Sequence, residues 1–365
     1  GCFKHNFPSI MDSDCSTMDY STEEGCSESQ KDKLSLSEDA IFLILSKLSW
    51  EEILNARLIS KRFDKIIRGR WHLLNRRKVF KINITYNKNC RSFPIRLYML
   101  STQLRNEHQR AILKFPSHKR TAQIQSGEDL SRYLKMFDTK NLFSLRVYVD
   151  DSRDIFNILN RSLQVGTKIS DLHVSKLEDM NYMSFRAFVK KIPPITSLSF
   201  GQICFPSKKA RNVNSFLSLP FLNTIEHFHI YDCNTTKIFS ADTVTIFLRK
   251  IPNIESLVIK SGNIKFLKSV FKKFFAVDQP RKIETECQYH EIDLTLRLND
   301  KFKYPSSRFE RLCNVMRNGL DKLQNVEEVS STSLLRYRAV FESIMNCKYC
   351  LRNKHKIKRR ATLEA

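Results

Sequence analysis

"FVKKIPPITSL" at residues 188–198 and "FLRKIPNIESL" at residues 247–257 are one phrase written twice, with starts 59 residues apart (188 to 247). In each, an aromatic and an apolar residue precede a basic pair, then Ile-Pro, then a short run ending in an apolar residue, a polar one and Ser-Leu. Proline cannot continue a helix and biases the residue before it toward extended backbone. Each phrase therefore reads as the last turn of a helix, a stop and the start of a strand.

Working outward, the strand half recurs. "LFSLRV" starts at Leu142, "ISDLHV" at Ile169, "ITSLSF" at Ile195, "IEHFHI" at Ile225 and "IESLVI" at Ile254, at intervals of 27, 26, 30 and 29 residues. Every copy fits apolar-x-x-Leu/Phe-x-apolar. Helical segments lie between them, "DIFNILNRSL" (154–163), "SFRAFVKKI" (184–192) and "ADTVTIFLRKI" (241–251). A strand-plus-helix unit repeating at this length predicts an α/β chain whose residues 141–300 form a leucine-rich-repeat-like strand/helix solenoid. An ordinary α/β sheet with similar crossovers is the competing reading.

The flanks differ in character. Residues 1–33 hold seven acids and three bases and few large aliphatics, so a disordered acidic tail is expected. Residues 76–140 read as a basic linker with first strands and a helix, because "KVFKINITYNKNCRSFPIRLYML" (78–100) alternates in the manner of paired strands. Residues 57–120 carry eighteen bases and two acids, Asp64 and Glu107. That much positive charge attracts an acidic protein face, a nucleic acid or a membrane surface. After "EIDLTLRL" (291–298), residues 301–350 are expected to be C-terminal helices, one around Phe309, Leu312, Cys313 and Met316 and one around Leu334, Tyr337, Phe341 and Ile344. Residues 351–365 read as a basic tail in which "KHKIKRR" (354–360) is either a nuclear import signal or a solvated end.

Composition narrows the function classes. The longest apolar run, "IFLIL" at 41–45, is far short of the ~20 residues of a membrane-spanning helix. The chain opens on "GCFKHNFPSI" without an apolar signal region, and Met11 is a candidate native start. Ten scattered cysteines read as reduced thiols, which places the protein in the cytosol, the nucleus or both. "CKYC" (347–350) with His355 has metal-like spacing but lacks a fourth ligand, so no metal is assigned. No phosphate-cradling glycine loop, nucleophile elbow or His-Glu-x-x-His pattern occurs, so neither a catalytic residue nor a cofactor is expected.

The remaining signal is "LSEDAIFLILSKLSWEEI", residues 36–53. Ile41, Ile44, Leu45 and Leu48 repeat at helical spacing. Ser37 can cap a first helix, and "SWEE" (49–52) is a capping box for a second. A third helix is expected to carry Phe63, Ile66, Ile67 and Trp71. Three helices in about 40 residues are too few for a self-sufficient core, so something else should complete their apolar faces.

This stretch resembles an F-box, the adaptor-docking motif of substrate receptors in Skp–cullin ubiquitin ligases. Leu36 matches the leading Leu, Asp39 the acid, Ala40 and Ile41 the aliphatic pair, Ile44 and Leu45 the next pair, and Leu48 the closing Leu. Glu52, Ile53 and Leu54 match the second helix start, and residues from Leu58 to Phe63 the third block. Ser37 stands where the family usually has Pro, and Phe63 where Trp is common. The resemblance assigns residues 34–75 to the F-box. It implies that Leu36, Ser37, Ile41, Ile44, Leu45, Leu48, Ile53, Leu54, Leu58, Ile59 and Phe63 meet the Skp adaptor, and through it a cullin. The whole architecture is similar to the F-box families expanded in nematodes, with repeat-like C-terminal domains. A receptor of this kind is not an enzyme. Its substrate, an unidentified protein, should lie on the exposed strand positions Arg146, His173, Ser199, His229 and Val258. Two alternatives stand beside it: a nucleic-acid-binding protein using residues 57–120, the less expected, and an F-box scaffold without a role in degradation.

Overall fold

The computed structural model describes residues 36–86, 89, 92–99, 119–149, 154–192, 195–204, 223–232, 240–251, 253–277, 290–298, 306–323, 328–335, 337–347 and 356–365. The acidic segment 1–33 lies outside them. The fold is mixed α/β, and no helix among the described residues is long and apolar enough to cross a membrane.

The first three helices are α1 (Glu38–Leu45), α2 (Trp50–Ala56) and α3 (Lys61–Arg70), each opened by a serine. Ser37 Oγ accepts from Ala40 N–H at 3.2 Å and Ser60 Oγ from Phe63 N–H at 3.2 Å. Ser49 and Glu52 form the reciprocal capping box read from the sequence. Such caps satisfy the otherwise unpaired N–H groups of a short helix. Ile41, Leu45, Ile53, Ala56, Ile66, Ile67 and Leu74 close a small core of their own.

After the three helices comes a large sheet. Its strands are β1 (Arg77–Tyr86), β2 (Phe93–Met99), β3 (Lys119–Ile124), β4 (Phe137–Asp138), β5 (Ser144–Val149), β6 (Asp171–Val174), β7 (Leu177–Glu178), β8 (Ser197–Cys204), β9 (His227–Asp232), β10 (Ser256–Ser261), β11 (His290–Leu298), β12 (Glu328–Leu335), β13 (Arg338–Asn346) and β14 (Lys356–Glu364). The main path runs β12-β13-β14-β11-β10-β9-β8-β6-β5-β1-β2-β3. From β14 to β1 every neighbouring pair is parallel. Antiparallel strands β2–β3 and β13–β12 flank that block at its two ends. Interspersed helices are α4 (Gly127–Lys135), α5 (Ile155–Ser162), α6 (Asp179–Lys191), α7 (Ala241–Lys250), α8 (Ile264–Ala276) and α9 (Ser306–Leu320). Helices consecutive in the chain touch one another, α4 with α5, α5 with α6, α7 with α8 and α8 with α9.

The repeated apolar positions explain this order. Leu145, Leu172, Leu198, Phe228, Leu257 and Leu294 occupy one register row across six strands. Val147, Val174, Phe200, Ile230, Ile259 and Leu296 form the next. All twelve are buried. Alternate residues point to opposite faces of a strand, so one sheet face is sealed under the helices and the intervening positions are mostly half-exposed. Phenylalanine rings run through the sealed layer: Phe188, Phe156, Phe185, Phe200, Phe228 and Phe247 are in contact in that order, with centroids 5.1–6.3 Å apart. The Ile of each Ile-Pro phrase, Ile192 and Ile251, is buried beneath the helix it ends.

Backbone contacts join successive strand starts to one another. Ser170 and Asp171 N–H both donate to Phe143 O at 3.0 and 2.9 Å, and Thr196 and Ser197 N–H to Ser170 O at 3.0 and 2.9 Å. Glu226 and His227 do the same to Thr196 O at 2.8 and 3.1 Å, and Glu255 and Ser256 to Glu226 O at 2.8 and 3.0 Å.

Within 76–140 the described residues form first strands and a helix, as expected; β1 sits inside the sheet between β5 and β2, and Arg76 is buried. Two expectations about the C-terminal flank are corrected. The second C-terminal helix does not form. Leu334 lies in β12, and Phe341 and Ile344 lie in β13, where Ala339, Phe341, Ser343 and Met345 face inward. That inward set contains a small and a polar residue, so the larger apolar residues mimic helical spacing. The basic tail is also strand. Residues 356–360 of "KHKIKRR" lie in β14, between β11 and β13, which excludes a free import signal there. Ile357, Arg359, Ala361 and Leu363 turn inward, and Arg359, although buried, donates to Phe274 O and Phe275 O at 3.2 and 2.9 Å at the end of α8. A buried cation in the inward set hides the alternation.

Gly201 sits where β8 bulges against β9 and passes close to the preceding repeat. A Cβ there would lie 2.4 Å from Ser175 O. Gly201→Ala is expected to cost about 1–3 kcal/mol, read as a lower urea midpoint; an unchanged midpoint would mean that β8 does not approach Ser175 this closely.

Candidate functional site

Two surfaces stand open. The first is apolar and belongs to the three-helix unit. That unit is tied to the sheet from one side: Trp71 Nε1 donates to Met136 O at 3.2 Å, Arg76 to Lys135 O at 2.8 Å, and Arg77 lies 4.7 Å over the Trp50 ring. Asn75 Nδ2 donates to Leu48 O at 2.7 Å, joining the α1–α2 turn to the chain that follows α3. Several of the unit's apolar residues stay bare. Of the eleven residues expected to meet a partner, Leu36, Ser37, Ile44, Leu54, Leu58 and Ile59 are exposed, with Ile44 at 49%, Leu58 at 85% and Ile59 at 71%. Leu48 and Phe63 pack against the unit's core and are partly covered.

Ile41, Leu45 and Ile53 are corrected: all three are sealed in that core, Leu45 completely. Helical spacing marks an apolar stripe but not which of its edges turns inward. Three helices with few other apolar residues spend the i, i+4 pair Ile41 and Leu45 on their own core. Leu43, at 63% exposure, is bare instead. Its signal was present, since "IFLIL" is wider than one buried stripe.

The second surface is the sheet face that the helices do not cover. Arg146, His173, Ser199, His229 and Val258 fall in one continuous register row across β5, β6, β8, β9 and β10. The row continues through Asn83 and Arg96 at one end and Thr295 and Thr362 at the other. Val258 lies on this face but is only 5% exposed, roofed by longer neighbours, and so offers little to a partner. A parallel row places Lys81, Ser144, Asp171, Ser197, His227, Ser256, Asp293, Arg360 and Glu342 beside it. These residues were not singled out from the sequence. Stepping by two from Arg146 to Ser144 and Tyr148 would have found part of them.

The face is built of polar contacts. His173 Nδ1 and Ser199 Oγ are 2.9 Å apart, and Tyr148 packs on the His173 ring at 5.1 Å. Ser144 Oγ donates to Asp171 at 2.8 Å. At the β11–β14 end, Arg360 meets Glu342 at 2.7 Å and Glu291 at 3.3 Å, Lys358 meets Glu342 at 3.2 Å, and Glu364 takes both Arg297 at 2.9 Å and Arg338 at 3.5 Å. One group among the described residues could hold a metal ion, Glu226, His227 and Glu255, whose ligand atoms lie within 4.8 Å of one another at the starts of β9 and β10. Cys347 is the only part of "CKYC" and His355 within the described residues, and it is buried.

No family model and no curated protein matches the chain.

Burial holds the His173 and His229 imidazoles below their ordinary pKa, helped by Arg146 for His173 and by Arg297 for His229, while Asp171 pulls both upward. The sign follows from linkage. Above about pH 6.5 both folded and unfolded imidazoles are neutral; below it the unfolded chain takes up protons that the folded chain resists, so stability falls with pH. The melting temperature should drop from about pH 7 to about pH 5, and drop less in His173→Gln with His229→Gln. An identical drop in that variant would show that these two rings do not couple to folding.

Proposed function

We propose that this chain is the non-catalytic substrate-recognition subunit of a Skp–cullin ubiquitin ligase. In this reading α1–α3 are an F-box that binds the Skp adaptor, and the repeated strand/helix units are a leucine-rich-repeat-like solenoid that holds a protein substrate. The observation that carries it is the division of the three-helix unit. Its core is closed and capped, yet Leu36, Leu43, Ile44, Leu54, Leu58 and Ile59 are left bare. Water-exposed aliphatics gathered on so small a unit favour a partner that covers them, and apolar helix residues seated in a partner's groove are a recurrent docking mode. The resemblance at residues 36–63 supplies that partner's identity. The chain then needs no chemistry of its own, because tethering a target beside a charged ubiquitin carrier raises its effective concentration.

The nucleic-acid reading is weaker. Arg76 and Arg77, at the centre of the basic segment, are engaged with Lys135 O and the Trp50 ring. A scaffold that binds the adaptor but degrades nothing would be separated by the half-life of retained proteins after depletion of this chain.

Co-precipitation with purified Skp adaptor tests the docking. The wild-type chain should be retained. Ile44→Asp with Leu58→Asp should weaken binding by at least about thirtyfold, as loss of central interface anchors does, with a melting temperature close to that of the wild type because Leu58 is 85% and Ile44 49% exposed. A wild-type chain that is not retained, or a double variant retained equally well, overturns the proposal.

A further inference from the structure

The open sheet face is not uniform in charge. Across β11, β13 and β14, Arg297, Arg338, Lys358 and Arg360 are matched by Glu291, Asp293, Glu342 and Glu364 in contacts of 2.7–3.9 Å. At the other end, adjoining register positions on β1, β2, β3 and β5 hold Lys81, Arg96, Lys119 and Arg146, and among the described residues Asp171 on β6 is the nearest carboxylate in those register rows. Asp171 already accepts from Ser144 Oγ, and its approach to Arg146 is long, 3.8 Å. Arg146 Nε has no hydrogen-bond partner, and neither has Oδ1 of Asn83, its register neighbour. Burial lowers the Lys81 pKa, Arg146 lowers it further, and Asp171 offsets part of this. Among the described residues, one end of the face therefore pairs its cations with four carboxylates, while the other sets Arg96, Lys119 and Arg146 beside one, Asp171.

We propose that this β1–β2–β3–β5 quarter of the open face binds an acidic peptide segment, so that proteins retained by the chain are selected by a run of Asp or Glu. The inference rests on the reading of the sheet face as the substrate surface. Charge complementarity supplies the sign of the occupant. The guanidinium groups of Arg96 and Arg146 suit carboxylates in paired geometry, and Asn83, His173 and Ser199 beside them offer the short polar contacts that an extended peptide backbone uses. A single-stranded nucleic acid fits less well, because it needs rings standing clear for base stacking. Among the described side chains of this face, Tyr148 and Tyr231 are half-buried, with Tyr148 packed on His173 and Tyr231 under the Lys260 ammonium at 5.7 Å.

The test is fluorescence anisotropy on the full chain with labelled oligoglutamate, with oligolysine and single-stranded RNA as comparison probes, alongside adaptor co-precipitation of every variant. Oligoglutamate should bind, oligolysine should not, and affinity should fall with added salt. Arg146→Gln should weaken it about tenfold or more. Arg96→Gln with Lys119→Gln, both at exposed positions that the fold does not need, should do the same, and Arg338→Gln at the paired end should not. All variants should keep the adaptor, so loss of peptide binding with adaptor binding intact bears on this site alone. No binding of oligoglutamate, equal binding by the double variant, or tighter binding of RNA that the same variants abolish would each overturn the proposal.

Discussion

The architecture depends on a small backbone device: two consecutive N–H groups at the start of one strand donate to a single carbonyl of the repeat before it. It occurs at Phe143, Ser170, Thr196 and Glu226 with nearly constant distances. Because each repeat enters its strand from the same hydrogen-bonded position, successive strands cannot shift relative to one another without breaking both bonds. That common entry point places Leu145, Leu172, Leu198, Phe228 and Leu257 side by side and lets the phenylalanine rings meet in series behind them. Burial then supplies the stability, but the backbone sets the alignment that makes burial efficient.

The same alignment creates the opposite face. A strand that sends every second residue into the core must send the others out, so a repeat with a fixed entry yields rows of outward residues as regular as the buried ones. The open surface with His173, Ser199 and His229 is thus a by-product of core packing, available for recognition at no cost to the fold. The three-helix unit is arranged differently. It is anchored through Trp71 and Arg76 at the end of α4, and its bare aliphatics lie on helices rather than strands. Two surfaces of unlike chemistry, one apolar and one polar, sit on one molecule.

What the sequence made legible was the part with a strong period and clean punctuation. The duplicated phrase around Ile192 and Ile251 marked two helix ends with strands following them, and Ser37 and the Ser49–Glu52 pair located two helix starts. Five outward positions chosen from strand patterns alone fell in a single row. Two of the illegible parts, β13 and β14, share a cause, a polar or small residue at a buried position. Ser343 and Arg359 interrupt the inward sets of β13 and β14, and without them the apolar signal resembled a helix in one case and a solvated tail in the other. For the three helices the stripe was visible, but its inward edge was set by the packing of α1, α2 and α3 together, which no single helix encodes. Charge pairing between distant strands, such as Arg360 with Glu342 and Glu291, likewise exists only once β14 has entered the sheet.

Arg359 has a consequence for uniqueness. A strand with an alternating face can slide two residues along its neighbours and still present apolar groups to the interior, so greasiness alone leaves the pairing of β14 ambiguous. The guanidinium removes that ambiguity: only in the observed alignment does it reach the carbonyls of Phe274 and Phe275. In a slipped alignment it would sit in the dark of the core without an acceptor, an uncompensated ion that proteins do not tolerate. The cation is thus a key cut for one lock, excluding mispaired sheets while the residues around it merely favour the right one.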